Sequence, residues 1–149
     1  MSTDQTSPSL PSLITREEAT SEQALAAVAA VLAAARAQGL AVACVVTDPG
    51  GRILASARLN HAPFQCHTIA LHKAKTAVGF ALPTVQWSER LAGKAHALTG
   101  LNGVEDFIPV GGGVPALHNG RPVAAIGVSG ASEEQDCDLA ALGVSKLLS

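Results

Sequence analysis

Gly111-Gly112-Gly113-Val114-Pro115 runs through an Asn119-Gly120 pair to Gly127-Val128-Ser129-Gly130, and the reading of this stretch decides the fold. Asn-Gly tolerates positive φ at both positions, as a type I′ turn demands, so residues 114–117 and 122–128 are predicted to pair as an antiparallel hairpin. Glycine also lets a ligand or a neighbouring element approach the backbone closely. Two Gly-rich stretches bracketing one hairpin are therefore expected to form the floor of a cleft.

Working outward, residues 40–47 and 52–58 are apolar and β-branched around Asp48-Pro49-Gly50-Gly51, which predicts a second, buried hairpin. The Asp48 carboxylate is expected to brace its turn by accepting backbone N–H groups. Residues 107–110 are a further short strand candidate, making five. Helical spacing of Leu25, Val28, Leu32 and Ala35 after a Thr15-to-Glu18 capping box predicts a helix over 15–38, closed by Gly39. Residues 64–80 return to helix period and stop near Pro83. Another helix is predicted from Thr84, with Trp87, Leu91, Ala95 and Leu98 on one face. A second capping box, Ser132 to Gln135, opens a last helix with Leu139, Leu142 and Leu147 as its stripe. Hairpins mixed with helices, without strict βαβ alternation, predict an α+β fold, an α/β/α sandwich with a mainly antiparallel sheet.

The chain has 149 residues, of which 48% are hydrophobic, enough for one buried core. Residues 1–13 are polar, Ser- and Pro-rich, and are expected to form a disordered tail before a single domain over 14–149. That segment lacks the basic and apolar regions of a signal peptide, and the Ala-rich run at 28–35 is too short for a membrane span of about 20 residues. A cytoplasmic setting without membrane contact is expected. A net charge of −2 with scattered Lys and Arg argues against nucleic acid as a partner. Three cysteines without CxxC spacing read as reduced thiols, with no metal assigned.

Five ordered motifs carry a family resemblance. They are Val45-Val46-Thr47-Asp48-Pro49-Gly50-Gly51, Arg58 before a short loop, Ala70-Leu71-His72-Lys73-Ala74-Lys75-Thr76-Ala77, Gly111 to Pro115, and Ile126-Gly127-Val128-Ser129-Gly130 with Gln135-Asp136. Together they resemble the GlcG/HbpS-like proteins, which include the C-terminal domain of PduO-type adenosyltransferases. The resemblance implies a profilin-like α/β/α sandwich with a five-stranded sheet, self-association into a homo-oligomer and a small-molecule pocket. Some members bind haem or a corrinoid-related cofactor, and others accompany hydroxy-acid, glycerol and diol catabolism. This chain departs from the pattern by carrying Asn60-His61 and Cys66 where relatives have Asp-Gly and Ser.

Those departures supply the candidate chemistry. On a helix over 65–80, Lys73 falls among apolar positions; it could anchor a carboxylate, act as a desolvated base, or form a structural pair with an acid such as Asp136. Cys66, in the first turn, is a candidate nucleophile or a small buried residue in the family's Ser position. His61, on a loop after Arg58, is the candidate base or haem-iron ligand. His67 is a second ligand candidate or a hydrogen-bonded core histidine, whereas His72, His96 and His118 read as solvated. Arg58 suits a carboxylate or a loop-fixing contact. Gly111, Gly112 and Gly113 present N–H groups to an anion held between them and Arg58, or form a bulge. Asp136 is structural by default, yet close enough to Ser129-Gly130 to reach a pocket.

Two functions follow. One is an enzyme moving a proton or attacking a carbonyl on a small hydroxy- or oxo-acid, with His61, Cys66 and Lys73 catalytic and Arg58, His67, Gly111–Gly113 and Asp136 binding. The alternative is a non-catalytic, oligomeric binder of haem or another small ligand, with haem as the one cofactor named. An aromatic content of 3% counts against a wide haem pocket.

Overall fold

The computed structural model describes residues 7–10 and 12–149 of the chain. Part of the expected tail, residues 1–6 and 11, lies outside the described residues. The order is α1 (Ser21–Ala37), β1 (Ala43–Thr47), β2 (Ile53–Arg58), α2 (Gln65–Phe80), a 3-10 turn (Thr84–Gln86), α3 (Trp87–Arg90), α4 (Ala95–Leu101), β3 (Gly113–His118), β4 (Arg121–Ser129) and α5 (Glu133–Leu148).

Both predicted hairpins form. Asn119 and Gly120 take φ of 52° and 75°, the positive pair that the β3–β4 turn requires. Asp48 Oδ1 accepts the N–H groups of Gly50 (2.8 Å) and Arg52 (3.0 Å) and so closes β1–β2. The two hairpins join through β1 and β4 into an antiparallel sheet of order β2-β1-β4-β3.

The sheet has four strands, which corrects the expectation of five. Residues 107–110 have their backbone and side chains committed elsewhere. The Ile108 N–H donates to Thr76 Oγ1 on α2 (3.0 Å), and the Phe107 ring stands edge-to-face against Trp87 and Phe80 at 5.2 and 5.9 Å. An apolar run that satisfies itself on a helix has no need of a strand neighbour.

Strand alternation sorts the core into two layers. Cys44, Val46, Ile126 and Val128 face α1 and α5, packing with Val31, Leu139 and Leu147. Full burial of a side chain such as Ile126 or Leu139 contributes about 1.5–3 kcal/mol. Ala43, Val45 and Ala125 face α2 and meet Ala70, Ala74 and Ala77. These small side chains let α2 lie almost backbone to backbone on the sheet. A Cβ added at Gly127 would overlap the Ala70 carbonyl oxygen, so this glycine seats a helix; it does not floor a cleft.

Helix ends differ from expectation in two places. α1 begins after Thr20, whose Oγ1 accepts the Gln23 N–H (3.1 Å) while Gln23 Oε1 accepts the Thr20 N–H (2.8 Å). Thr15 has a similar pattern, but buried Ala19 donates its N–H to the Val123 carbonyl (2.9 Å) and ties the preceding chain to β4. The helix predicted from Thr84 is instead broken into three pieces, with Gly93 at φ 71° between α3 and α4.

Candidate ligand site

The helical phase of α2 places Lys73 against β4, where its side chain is 3% exposed. Its Nζ donates to Asp136 Oδ2 (3.1 Å) and to the Val128 carbonyl (2.9 Å). Asp136, at the start of α5, also accepts the Ala131 N–H on Oδ1 (3.1 Å). Burial pushes the Asp136 carboxyl above its ordinary range, against the opposing pull of Lys73. Of the roles open to Lys73, the geometry realises the structural pair: the ammonium links α2, β4 and α5.

The triple glycine wraps this ion pair. Gly112 takes φ 124°, and a Cβ there would lie 2.6 Å from the Val128 oxygen and 2.8 Å from Lys73 Nζ. The Gly111 N–H donates to Glu133 (2.8 Å) and the Gly113 N–H to Thr84 Oγ1 (2.9 Å). The carboxylate at Gly111 is thus the chain's own. The sequence signal for Glu133 was hidden inside a capping box, where an acid is expected for other reasons. Arg58 lies on β2 and the glycines lead into β3, at opposite edges of the sheet. Three strand spacings of about 4.8 Å put roughly 14 Å between those edges, so one small anion does not span them within this chain.

Arg58 instead organises its own loop. Its Nη1 donates to the carbonyls of Leu59 (3.2 Å), Asn60 (3.3 Å) and Ala62. That loop carries His61, which is exposed and has no side-chain partner among the described residues, and Phe64, 74% exposed at the start of α2. Phe64 was read from sequence only as a helix boundary. Cys66 is buried against Ala43, Val45 and Ala70, where it packs as a small side chain. His67 is half-buried, with Nε2 2.9 Å from Ser56 Oγ on β2. His61, Arg58 and Phe64 therefore share one exposed loop, while Cys66 and Lys73 are enclosed two helical turns apart.

Of the other imidazoles, His72 is half-buried and meets Asp106 Oδ1 (2.9 Å), and His118 meets Glu17 (3.1 Å), so neither is simply solvated. Asp106 also holds Lys75 (3.0 Å). His96 is exposed on α4. A cleft of about 270 Å³ opens between the Gly50-Gly51 turn, Lys75, Phe80 and Phe107. A second of about 300 Å³ lies among Glu17, Gln23, His118 and Leu147. Neither is lined by His61, Cys66, Lys73 or Arg58, and both sit at the small end of ligand sites, which run from about 300 to 1,000 Å³. Among the described residues no group of three or more His, Cys, Asp or Glu side chains could hold a metal ion, and no helix is long and apolar enough to cross a membrane.

An antiparallel four-stranded sheet between a helix pair and a single helix, with an imidazole and a guanidinium on one exposed loop, defines an α/β/α protein. Within that class the chain belongs to the HbpS-like family: residues 19–145 match the family described as "Haem degrading protein HbpS-like". The crystal structure of a Streptomyces reticuli HbpS double mutant is 33% identical, with a TM-score of 0.82 over 93% of each chain. Protein ORFY of Klebsiella pneumoniae is 27% identical, with a TM-score of 0.87 over 94% of this chain and 97% of its own. A curated relative, an uncharacterized 15.0 kDa protein from the dhaT-dhaS intergenic region of Citrobacter freundii, is 34% identical over 93 residues. The matched stretch spans 61% of this chain and 65% of that relative's length.

Proposed function

We propose that this chain is a small-ligand-binding protein whose ligand is haem, held at the loop between β2 and α2 by His61, with Arg58 and Phe64 beside it. The observation that carries the reading is His61: an exposed imidazole, without a side-chain partner among the described residues, on a loop whose backbone is fixed by three Arg58 hydrogen bonds. Imidazole is a common protein ligand of haem iron, guanidinium suits the propionates, and an exposed phenyl ring contributes apolar surface. Bound haem would supply an iron that the His61 imidazole could ligate. The donor set fits the group as an open surface site, with His61, Arg58 and Phe64 all on the loop and its flanks and His61 and Phe64 exposed.

The family description supports haem as the ligand class. Self-association and a cytoplasmic setting belong to the same reading. The enzyme reading for a small hydroxy- or oxo-acid draws less support, because its proposed nucleophile Cys66 and base Lys73 are buried in separate surroundings. Native mass spectrometry after mixing with haemin tests the proposal. One haem mass per subunit, absent from the denatured sample, is expected; no mass increment would sink it.

A further inference from the structure

The last turn of α2, the Gly50-Gly51 turn and residues 104–107 enclose the cleft of about 270 Å³. Nearly every charge around it is paired. Asp106 holds Lys75 on Oδ2 (3.0 Å) and meets His72 on Oδ1 (2.9 Å), while Arg52 beside the turn pairs with Asp48 (3.8 Å). Glu105, an exposed carboxylate in no ion pair among the described residues, is left as the uncommitted charge of the lining. Two further features have the same sign. The carbonyls at the end of α2 carry the negative end of the helix dipole into the lining at Val78, Gly79 and Phe80, and that last turn contains no basic side chain. The rings of Phe80 and Phe107 both line the cleft, 5.9 Å apart and at 76° to one another, and the face of an aromatic ring is negative.

We propose that this cleft binds a small organic cation of the alkylated ammonium class, its charge beside Glu105 and its alkyl groups against Phe80 and Phe107. Such an ion suits both walls, since its carbon substituents pack on the rings that attract its charge. A bare metal cation would find one uncommitted carboxylate where it needs several oxygen ligands. An anion would find no uncommitted partner, because Lys75 is held by Asp106. The wall is also built in advance. Asp106 takes φ 66°, uncommon for a residue with a side chain, and is clamped there by Lys75, by His72 and by Thr76 Oγ1, which donates to its carbonyl (3.1 Å). Glu105 and Phe107 flank this clamped residue, and Trp87 braces the Phe80 and Phe107 rings edge-to-face at 4.9 and 5.2 Å. Little ordering cost then falls on the ligand. The cleft and the His61 loop stand at opposite ends of β2, so the inference does not depend on haem.

The test is a titration of the full chain, without haemin, read from amide chemical shifts by heteronuclear NMR. The probes are choline, its neutral isostere with carbon in place of the quaternary nitrogen, and acetate as an anion. Choline is expected to move the amides of residues 50–51 and 104–107 saturably, and the neutral isostere to bind at least about tenfold more weakly. Glu105→Gln is expected to weaken choline by at least about tenfold, and Glu134→Gln, at an exposed site on α5, to leave it unchanged. The isostere arm needs no variant, so it decides the matter even if Glu105→Gln misfolds. No saturable change with choline, an isostere that binds as well, acetate moving the same amides in its place, or equal responses from Glu105→Gln and Glu134→Gln would each overturn the proposal.

Discussion

Lys73 Nζ on α2 lies 3.1 Å from Asp136 Oδ2 on α5, with the two side chains 3% and 4% exposed, so the sheet's two helical layers are joined by one buried ion pair. Lys73→Met leaves the Asp136 carboxylate buried and unpaired, and is expected to cost about 3–5 kcal/mol near neutral pH. The pH dependence has a definite sign. Burial already raises the folded-state value of Asp136 above its ordinary 3.8, and loss of Lys73 raises it further. A raised carboxyl contributes stability that is present below its unfolded value and lost as pH rises through its folded value. Urea unfolding should therefore show a smaller deficit for the variant at pH 5 than at pH 8. An equal deficit at both would contradict the pairing.

Gly127→Ala should be among the most damaging single-methyl changes in the chain. The added Cβ overlaps the Ala70 backbone, which cannot swing aside as a side chain can. Overpacking of this kind costs about 1–3 kcal/mol or more, and the loss should appear as a lower unfolding midpoint with an unchanged slope. By contrast Gly79→Ala, where a Cβ meets nothing within 4 Å, should leave the midpoint where it is or raise it.

Thiol reactivity separates a packing role for Cys66 from a nucleophilic one. Burial pushes the Cys44 thiol up to about 12, and burial with Glu133 nearby raises Cys137 as well. Cys66 is enclosed by β1 and α2. In the native protein Cys137, the half-buried one, should alkylate first, with a rate that climbs beyond pH 9. Fast alkylation of Cys66 with a thiolate appearing well below about 8.5 would restore the nucleophile reading.

Much of the fold was legible because local chemistry and global structure agree. Asp48-Pro49-Gly50-Gly51 and Asn119-Gly120 can hardly do anything but turn, and the helical phase of residues 65–80 put Lys73 among apolar positions correctly. What failed depended on contacts far away in sequence. Residues 107–110 resemble a strand until Thr76 and the Phe80–Trp87 pair are seen to claim them. Thr15 and Thr20 are comparable caps until Val123 anchors Ala19. Arg58 and the triple glycine look like two halves of an anion site until strand order separates them.

A spectrophotometric titration of haemin into wild type, His61→Ala and His96→Ala tests the central claim most directly. The account predicts a saturable Soret shift for wild type and for His96→Ala, and its loss in His61→Ala, whose affinity falls at least about tenfold, equivalent to 1.4 kcal/mol. No Soret change in wild type, or an undiminished one in His61→Ala, would contradict it.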